Sequence, residues 1–260
     1  MGEKNTIKLW YEETGMGIPF IFLHGYPLDH TIWMPVISRL KDELRVVAPD
    51  LRGFGHSPVV TQLYSLSDMA DDIARLMDDA LIEKAVLVGH SMGGYISFAF
   101  AKHHADRLLG LGLVATHHLA DSPESRMNRI KQAETVRQSG SVQSVAEEMP
   151  YRVTSNIILQ EEIKTLIQKI DPAGVAGALE AMSTREDASE VLESLTLPVA
   201  VLAGEQDRLV PLEKARQMAG YLRDGMLYEI PGAEHMPMLE DPDAIIQCLL
   251  KLRDRVVDTA

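Results

Sequence analysis

Ala85-Val86-Leu87-Val88-Gly89-His90-Ser91-Met92-Gly93-Gly94 is the stretch whose reading decides the fold. Its opening residues are apolar without alternation, as in a strand buried on both faces of a parallel sheet. The run ends in Gly-His-Ser-Met-Gly, a match to Gly-x-Ser-x-Gly, and Tyr95-Ile96-Ser97-Phe98-Ala99-Phe100-Ala101 continues as an apolar segment of helical length. A strand that turns straight into a helix must bend within a few residues. Gly89 and Gly93, two positions either side of Ser91, remove the Cβ atoms that would collide across so tight a turn. Ser91 is left at the apex, its hydroxyl near a helix N-terminus whose partial positive charge favours a developing anion. Gly-rich five-residue matches arise by chance; the strand before and the helix after are the context that makes Ser91 the expected nucleophile.

Working outward, the same alternation of strand and helix recurs. Upstream, Ile7-Lys8-Leu9-Trp10-Tyr11-Glu12 alternates like a half-exposed strand, and Pro19-Phe20-Ile21-Phe22-Leu23 reads as a buried one ending in His24-Gly25-Tyr26-Pro27. Thr31 to Leu40 predicts a short helix with Pro35 inside it, and Leu44 to Asp50 a strand leading into Leu51-Arg52-Gly53-Phe54-Gly55-His56-Ser57. Ser67-Asp68 is expected to cap a helix carrying Met69, Ile73, Leu76, Met77 and Ala80 at helical spacing. Downstream, Leu108 to Ala115 is a further strand, after which the pattern changes.

From His117 to Leu195 only helical signals occur. One helix starts at Asp121-Ser122-Pro123-Glu124 and runs to Gly140; a second spans Ser141 to Met149, closed by Pro150. Ile163, Leu166, Ile167 and Ile170 mark a third, and Asp171-Pro172 opens a fourth with Val175, Leu179 and Met182. The sheet resumes at Pro198 to Gly204 and ends with Gly225 to Ile230. The expected fold is α/β: a mostly parallel sheet with helices on both faces, formed by residues 1–116 and 196–260, with a four-helix insertion at 117–195. In such sheets function gathers at the carboxyl ends of strands, where His24-Gly25, Asp50 and Ser91 all fall.

A chain of 260 residues suits one such domain with an insertion. Its net charge of −13 argues against nucleic acid and anionic membrane surfaces, which need basic patches. The single cysteine, Cys248, rules out an internal disulfide and sits in an apolar helical stretch, as an inert core thiol does. The N-terminus is polar, without the apolar core of a signal peptide, and no run reaches membrane-span length. Met1-Gly2-x-x-x-Thr6 fits the loose myristoylation pattern, but Thr6 already opens a strand-like segment, so the match reads as coincidence. The expected location is cytoplasmic. No His-Glu-x-x-His, paired cysteine, P-loop or Gly-x-Gly-x-x-Gly fingerprint occurs, so neither metal nor cofactor is implied, and the partner is a small molecule.

A serine hydroxyl is a weak nucleophile at neutral pH and needs a base, which in turn needs an orienting acid. In an elbow architecture the chain order is Ser, then Asp or Glu, then His. Asp207 follows the resumed strand, and His235 follows the last one in Pro231-Gly232-Ala233-Glu234-His235-Met236. Glu205 is the competing acid. Of nine histidines, only His235 has both the order and the strand-end position. His90 is expected to pack beneath the elbow, and His24 lies in the loop after the first buried strand. His103 and His104 suit a helix C-terminus. His117 and His118, at the start of the insertion, are available to face a substrate, and Asp50 is read as structural.

Taken together, His24-Gly25-Tyr26-Pro27, Asp50 to Ser57, Gly89 to Gly94, Gly204-Glu205-Gln206-Asp207 and Gly232-Ala233-Glu234-His235 make the chain resemble the α/β-hydrolase fold superfamily over nearly its whole length. The nearest likeness is to serine esterases and enol-lactonases with a helical cap. The resemblance implies an oxyanion hole from the backbone N–H groups of Tyr26 and Met92, and makes the insertion a cap over the site. It also implies a departure: so few residues precede Ile7 that the first strand of the family's N-terminal hairpin is expected to be missing.

The expected activity is hydrolysis of small to medium carboxylic esters by a Ser91–His235–Asp207 acyl-enzyme route. Met127, Met149, Met182 and Met236 are candidates for lining the pocket, with Trp33 near its entrance; methionines also simply fill seams. Alternatives are a lactonase of the 3-oxoadipate enol-lactone type, perhydrolysis with peroxide in place of water, and a ligand receptor on the same fold. The lactonase would need a cap arginine facing Ser91, from among Arg126, Arg129, Arg137, Arg152 and Arg185.

Overall fold

Strand β1 (Tyr11–Thr14) is followed by β2 (Pro19–Leu23), helix α1 (Met34–Leu40), β3 (Arg45–Pro49), α2 (Leu66–Asp79), β4 (Ala85–His90), α3 (Met92–His103) and β5 (Leu108–Val114). Helices α4 (Pro123–Ser139), α5 (Gln143–Val153), α6 (Ile157–Ile167), α7 (Pro172–Ser183) and α8 (Ser189–Ser194) intervene before β6 (Val199–Gly204). Helix α9 (Leu212–Ala219), β7 (Gly225–Ile230), α10 (Pro237–Glu240) and α11 (Pro242–Thr259) complete the chain. The computed structural model describes residues 6–259, so all of the Met1–Thr6 lipidation match except Thr6 lies outside the described residues.

The strands form one sheet in the order β1-β3-β2-β4-β5-β6-β7, with β1 antiparallel and every other pairing parallel. All six residues of β4 are buried between β2 and β5, which is why its sequence shows no alternation. The β2-to-β3 connection steps one way across the sheet and the β3-to-β4 connection steps back past β2. Right-handed crossovers therefore put α1 on one face and α2 and α3 on the other. Helix α11 joins α1, and α8 joins α3. The reversal leaves a crevice between the carboxyl ends of β2 and β4, the place where open α/β sheets bind ligands. His24-Gly25 ends one of those strands and Ser91 the other.

Several boundaries differ from the sequence expectation, each for a local reason. Pairing in the first strand begins only at Tyr11, because the earlier donors are taken by side chains: Ile7 N–H by Asp72 (2.8 Å) and Trp10 N–H by Ser57 Oγ (2.9 Å). Among the described residues no strand precedes β1. Pro35 divides the Thr31–Leu40 segment into a 3-10 turn, His30–Trp33, and α1, in whose first turn the missing N–H costs nothing. Ser65, not Ser67, caps α2, in a reciprocal capping box with Asp68. Helix α5 runs through Pro150 to Val153, held by a buried face of Val145, Ala146, Met149 and Val153. The insertion holds a fifth, six-residue helix, α8, beyond the four expected. Within it α4 packs along α7, and α5 along α6. No described helix is long and apolar enough to cross a membrane.

Candidate active site

Ser91 caps α3 with φ 50° and ψ −109°, a left-handed conformation rare for a residue with a Cβ. Its N–H donates to the Val114 carbonyl of the neighbouring strand (2.9 Å). Its carbonyl accepts from Gly94 N–H (2.9 Å), Tyr95 N–H (3.3 Å) and Thr116 Oγ1 (2.9 Å). The turn is as tight as the glycine pattern requires: a Cβ on Gly89 would lie 2.4 Å from the Gly93 carbonyl oxygen, and one on Gly93 2.5 Å from that of Leu23. Strain of this kind, over-determined by its surroundings, gathers at functional sites.

Asp207 and His235 come together from loops after β6 and β7. Asp207 Oδ1 accepts the N–H groups of Leu209 and Val210 (2.8 Å each), which orients the carboxylate, and Oδ2 meets His235 Nδ1 at 2.8 Å. The two side chains are 1% and 2% exposed. With the carboxylate as acceptor, neutral His235 carries its proton on Nδ1 and leaves Nε2 with a free lone pair. Glu205, the competing acid, is exposed.

His90 links this pair to the elbow. Its Nε2–H donates to the His235 carbonyl (2.9 Å), and the two rings lie 4.9 Å apart. Burial holds the His90 imidazole neutral, well below its ordinary pKa. On its other flank the His235 loop is tied to the α5–α6 junction. His235 N–H donates to the Val153 carbonyl (3.2 Å), and Glu234 accepts from Ser155 N–H (2.8 Å) and Arg208 (2.7 Å). Glu240 accepts from Thr154 Oγ1 (2.6 Å) and from Glu234 N–H (2.7 Å). None of these ties left a signal in the sequence.

The loop after β2 closes the other side of the crevice. Leu51 N–H donates to His24 Nε2 (2.9 Å), so His24 Nδ1 carries the proton and donates to the Gly25 carbonyl (2.9 Å). Burial pushes the His24 pKa down, in keeping with that neutral tautomer. A Cβ on Gly25 would stand 2.5 Å from His90 Nδ1 and 3.3 Å from Ser91 Cβ, so the loop backbone rests directly on the elbow. Neither Tyr26 N–H nor Met92 N–H donates to an acceptor among the described residues.

Among the described residues one group of side chains is close enough to hold a metal ion, His30, Asp50 and His56. Its carboxylate is already engaged, by the N–H (3.0 Å) and Nδ1 (2.7 Å) of His30 and the N–H (2.8 Å) and Nδ1 (3.0 Å) of His56. Burial works against ionisation, but these donors hold Asp50 below the usual carboxylate range. The cluster is a loop fastener, as the structural reading of Asp50 anticipates.

The expected pocket residues fare unevenly. Trp33 is fully buried, edge-on to Phe22 and His90, and so lies under the elbow and not at an entrance. Met127 is 63% exposed on α4; Met149, Met182 and Met236 are buried. Of the arginines, Arg137 and Arg152 pair with Glu180 and Glu148 near the surface, whereas Arg185 is buried against Tyr95 and Asp121. His117 and His118 are buried beside it. His104 pairs with Asp71 (2.7 Å), and His103 approaches Ser67 (3.3 Å).

Over residues 18–242 the chain matches the alpha/beta hydrolase fold family, and it belongs to that family. A thermophilic esterase from Thermogutta terrifontis superimposes with a TM-score of 0.91 at 40% identity, covering 95% of this chain and 93% of that one. A pimeloyl-[acyl-carrier protein] methyl ester esterase of Vibrio vulnificus is 27% identical over 256 residues, 93% of this chain and 96% of that protein. The 3-oxoadipate enol-lactonase 1 of Acinetobacter baylyi is 28% identical over 236 residues, 87% of this chain and 85% of its own length.

Proposed function

We propose that this α/β-hydrolase cleaves small to medium carboxylic esters through an acyl-enzyme on Ser91. The observation that carries the reading is the 2.8 Å bond from His235 Nδ1 to the buried Asp207 carboxylate, on a loop tied by its His235 carbonyl to His90, the residue before the strained Ser91. His235 Nε2 takes the Ser91 proton as the hydroxyl attacks the ester carbonyl. Asp207 holds the tautomer and stabilises the imidazolium that forms. The Tyr26 and Met92 amides receive the tetrahedral oxyanion, each contributing about 2.7–4 kcal/mol in comparable sites. His235 then protonates the departing alcohol, and water repeats the sequence on the acyl-enzyme. The similarity to proteins named as esterases and as an enol-lactonase supports this reaction class. A net charge of −13 disfavours substrates presented on a polyanionic carrier and favours free small molecules.

Steady-state hydrolysis of p-nitrophenyl acetate, butyrate and palmitate by the wild type, Ser91→Ala and Asp207→Asn tests the proposal. Ser91→Ala is expected to abolish turnover with the fold intact, and Asp207→Asn to lower kcat roughly 10⁴-fold. The two short esters should be turned over faster than palmitate. Activity retained in Ser91→Ala rejects the nucleophile; equal rates across chain length reject the substrate class.

A further inference from the structure

His235 follows the edge strand β7, three places along the sheet from the strand that ends at Ser91. The order β4-β5-β6-β7 puts β5 and β6 between them, and strands spaced about 4.8 Å apart leave the ends of β4 and β7 roughly 14 Å from one another. Ladder bonds do not close that gap, and each added strand also turns by about 20–25°. The loop after β7 has to reach back across two strand ends to bring an imidazole to the serine.

Most of the bonds that hold this loop lead elsewhere. Gln206 N–H donates to the Ala233 carbonyl (2.9 Å) and Asp207 meets His235 Nδ1, which ties the loop to the end of β6. The bonds of His235 N–H to Val153, of Glu234 to Ser155 and of Glu240 to Thr154 lead to the insertion. The bond from His90 Nε2–H to the His235 carbonyl (2.9 Å) leads to β4 itself, from the residue joined covalently to Ser91.

The same ring bears on the loop of the proposed oxyanion donor. It lies edge-on to Trp33, and a Cβ on Gly25, the residue before Tyr26, would come within 2.5 Å of its Nδ1 and 2.8 Å of its Cε1. Because Nε2–H donates to a carbonyl, Nδ1 keeps its lone pair, and that buried nitrogen has no hydrogen-bond partner among the described residues. A proton placed there would find no acceptor, and burial disfavours the charged ring as well. His90 therefore stays neutral 4.9 Å from the His235 ring, and does not oppose the imidazolium of the proposed reaction.

We propose that His90 is a positioning residue for ester hydrolysis: its Nε2–H holds the His235 backbone and its other edge seats Gly25, so one side chain sets the base and the Tyr26 amide relative to Ser91. The inference rests on the Ser91–His235–Asp207 reading and adds a residue that touches neither substrate nor the reacting atoms. An imidazole serves because its two nitrogens differ, one a donor and the other without a hydrogen where Gly25 approaches.

Steady-state kinetics on p-nitrophenyl butyrate with the wild type, His90→Gln, His90→Asn, His90→Leu and Ser91→Ala, each well below its unfolding midpoint, test the assignment. A glutamine amide nitrogen reaches the place of the imidazole Nε2 and donates to the same carbonyl; asparagine is a methylene too short, and leucine has no donor. His90→Leu and His90→Asn are expected to lose kcat roughly 10²-fold with KM little changed, as a displacement of about 1 Å at the reacting atoms does. His90→Gln should recover most of that loss, whereas a structural role alone would lower the midpoint and leave kcat in place. Wild-type kcat in folded His90→Leu or His90→Asn, or a His90→Gln protein as slow as His90→Leu, overturns the proposal; His90→Asn carries the test if His90→Leu does not fold. Activity kept in Ser91→Ala rejects instead the nucleophile on which the proposal rests, so the two failures are told apart.

Discussion

Ser91 is held at φ 50° and ψ −109° by one strand bond and three bonds to its carbonyl, an arrangement that stores about 1–3 kcal/mol of backbone strain. It sets Ser91 at the turn between β4 and α3, close to the loop that carries Tyr26. Gly25 is the closest approach between them, and it yields a sharp test. In Gly25→Ala the new methyl would stand 2.5 Å from His90 Nδ1 and 3.3 Å from Ser91 Cβ, so the Tyr26 amide has to move. Overpacking of this kind costs about 1–3 kcal/mol of stability, whereas losing one oxyanion donor costs kcat roughly 10²–10³-fold. The variant should therefore fold and still lose most of its esterase turnover; wild-type kcat in a folded Gly25→Ala protein would contradict the role given to that amide. At this scale the sequence was informative where chemistry is local. Ser91, Asp207 and His235 each sit just past a legible strand, in chain order. The hydrogen bonds of His90 and Glu234 were not legible because their partners lie 145 and 79 positions away, and Trp33 was misplaced because nothing local shows which face of a short helix meets the sheet.

The loop carrying His235 is held between two elements, the elbow through His90 and the α5–α6 junction through Val153, Thr154 and Ser155. The inserted helices therefore touch the loop of the proposed base directly. Replacing Glu234 with Ala removes its bonds to Ser155 and Arg208 while leaving the Asp207–His235 pair in place. Hydrogen bonds to a charged group contribute about 1.5–3 kcal/mol each. The expected result is a lower urea midpoint together with a kcat roughly tenfold down; a variant of lowered midpoint but wild-type kcat would mean that the strap is structural only. Helices were readable wherever a cap or an apolar stripe announced them, as at Ser122-Pro123 and Asp171-Pro172. They were not readable in the first turn of α6, whose Ile157 and Ile158 are exposed, nor in α8, too short to show a period. The extension of α5 through Pro150 reflects tertiary packing overriding the local break.

For the molecule as a whole, the parallel sheet and its crevice followed from alternating apolar runs, while the way the insertion docks depended on contacts between distant segments. The buried histidines set its response to acid. His24, His90, His117 and His118 all have depressed pKa values, chiefly because burial disfavours the charged ring, with His117 lowered to about 3. Unfolded, each takes a proton as pH falls through about 6.5. The unfolded chain then binds more protons than the folded one, so stability declines with falling pH by up to about 1.4 kcal/mol per pH unit per group. His30 acts in the opposite sense: burial lowers its pKa, but the Asp50 hydrogen bond and charge outweigh that and raise it. With four groups against one, the urea midpoint should be distinctly lower at about pH 5 than at about pH 7.5, and an unchanged or higher midpoint would show that these rings are not held neutral. The central claim, that Ser91 is the nucleophile of a relay through His235 and Asp207, is tested most directly by a fluorophosphonate, whose phosphorus is attacked by an activated serine Oγ with loss of fluoride to leave a stable phosphonyl-serine. Peptide mass mapping of the labelled protein should find one phosphonyl group per chain, on Ser91, with activity lost in proportion and no labelling in His235→Ala; a label on another residue, or complete labelling of Ser91 with activity retained, would contradict the account.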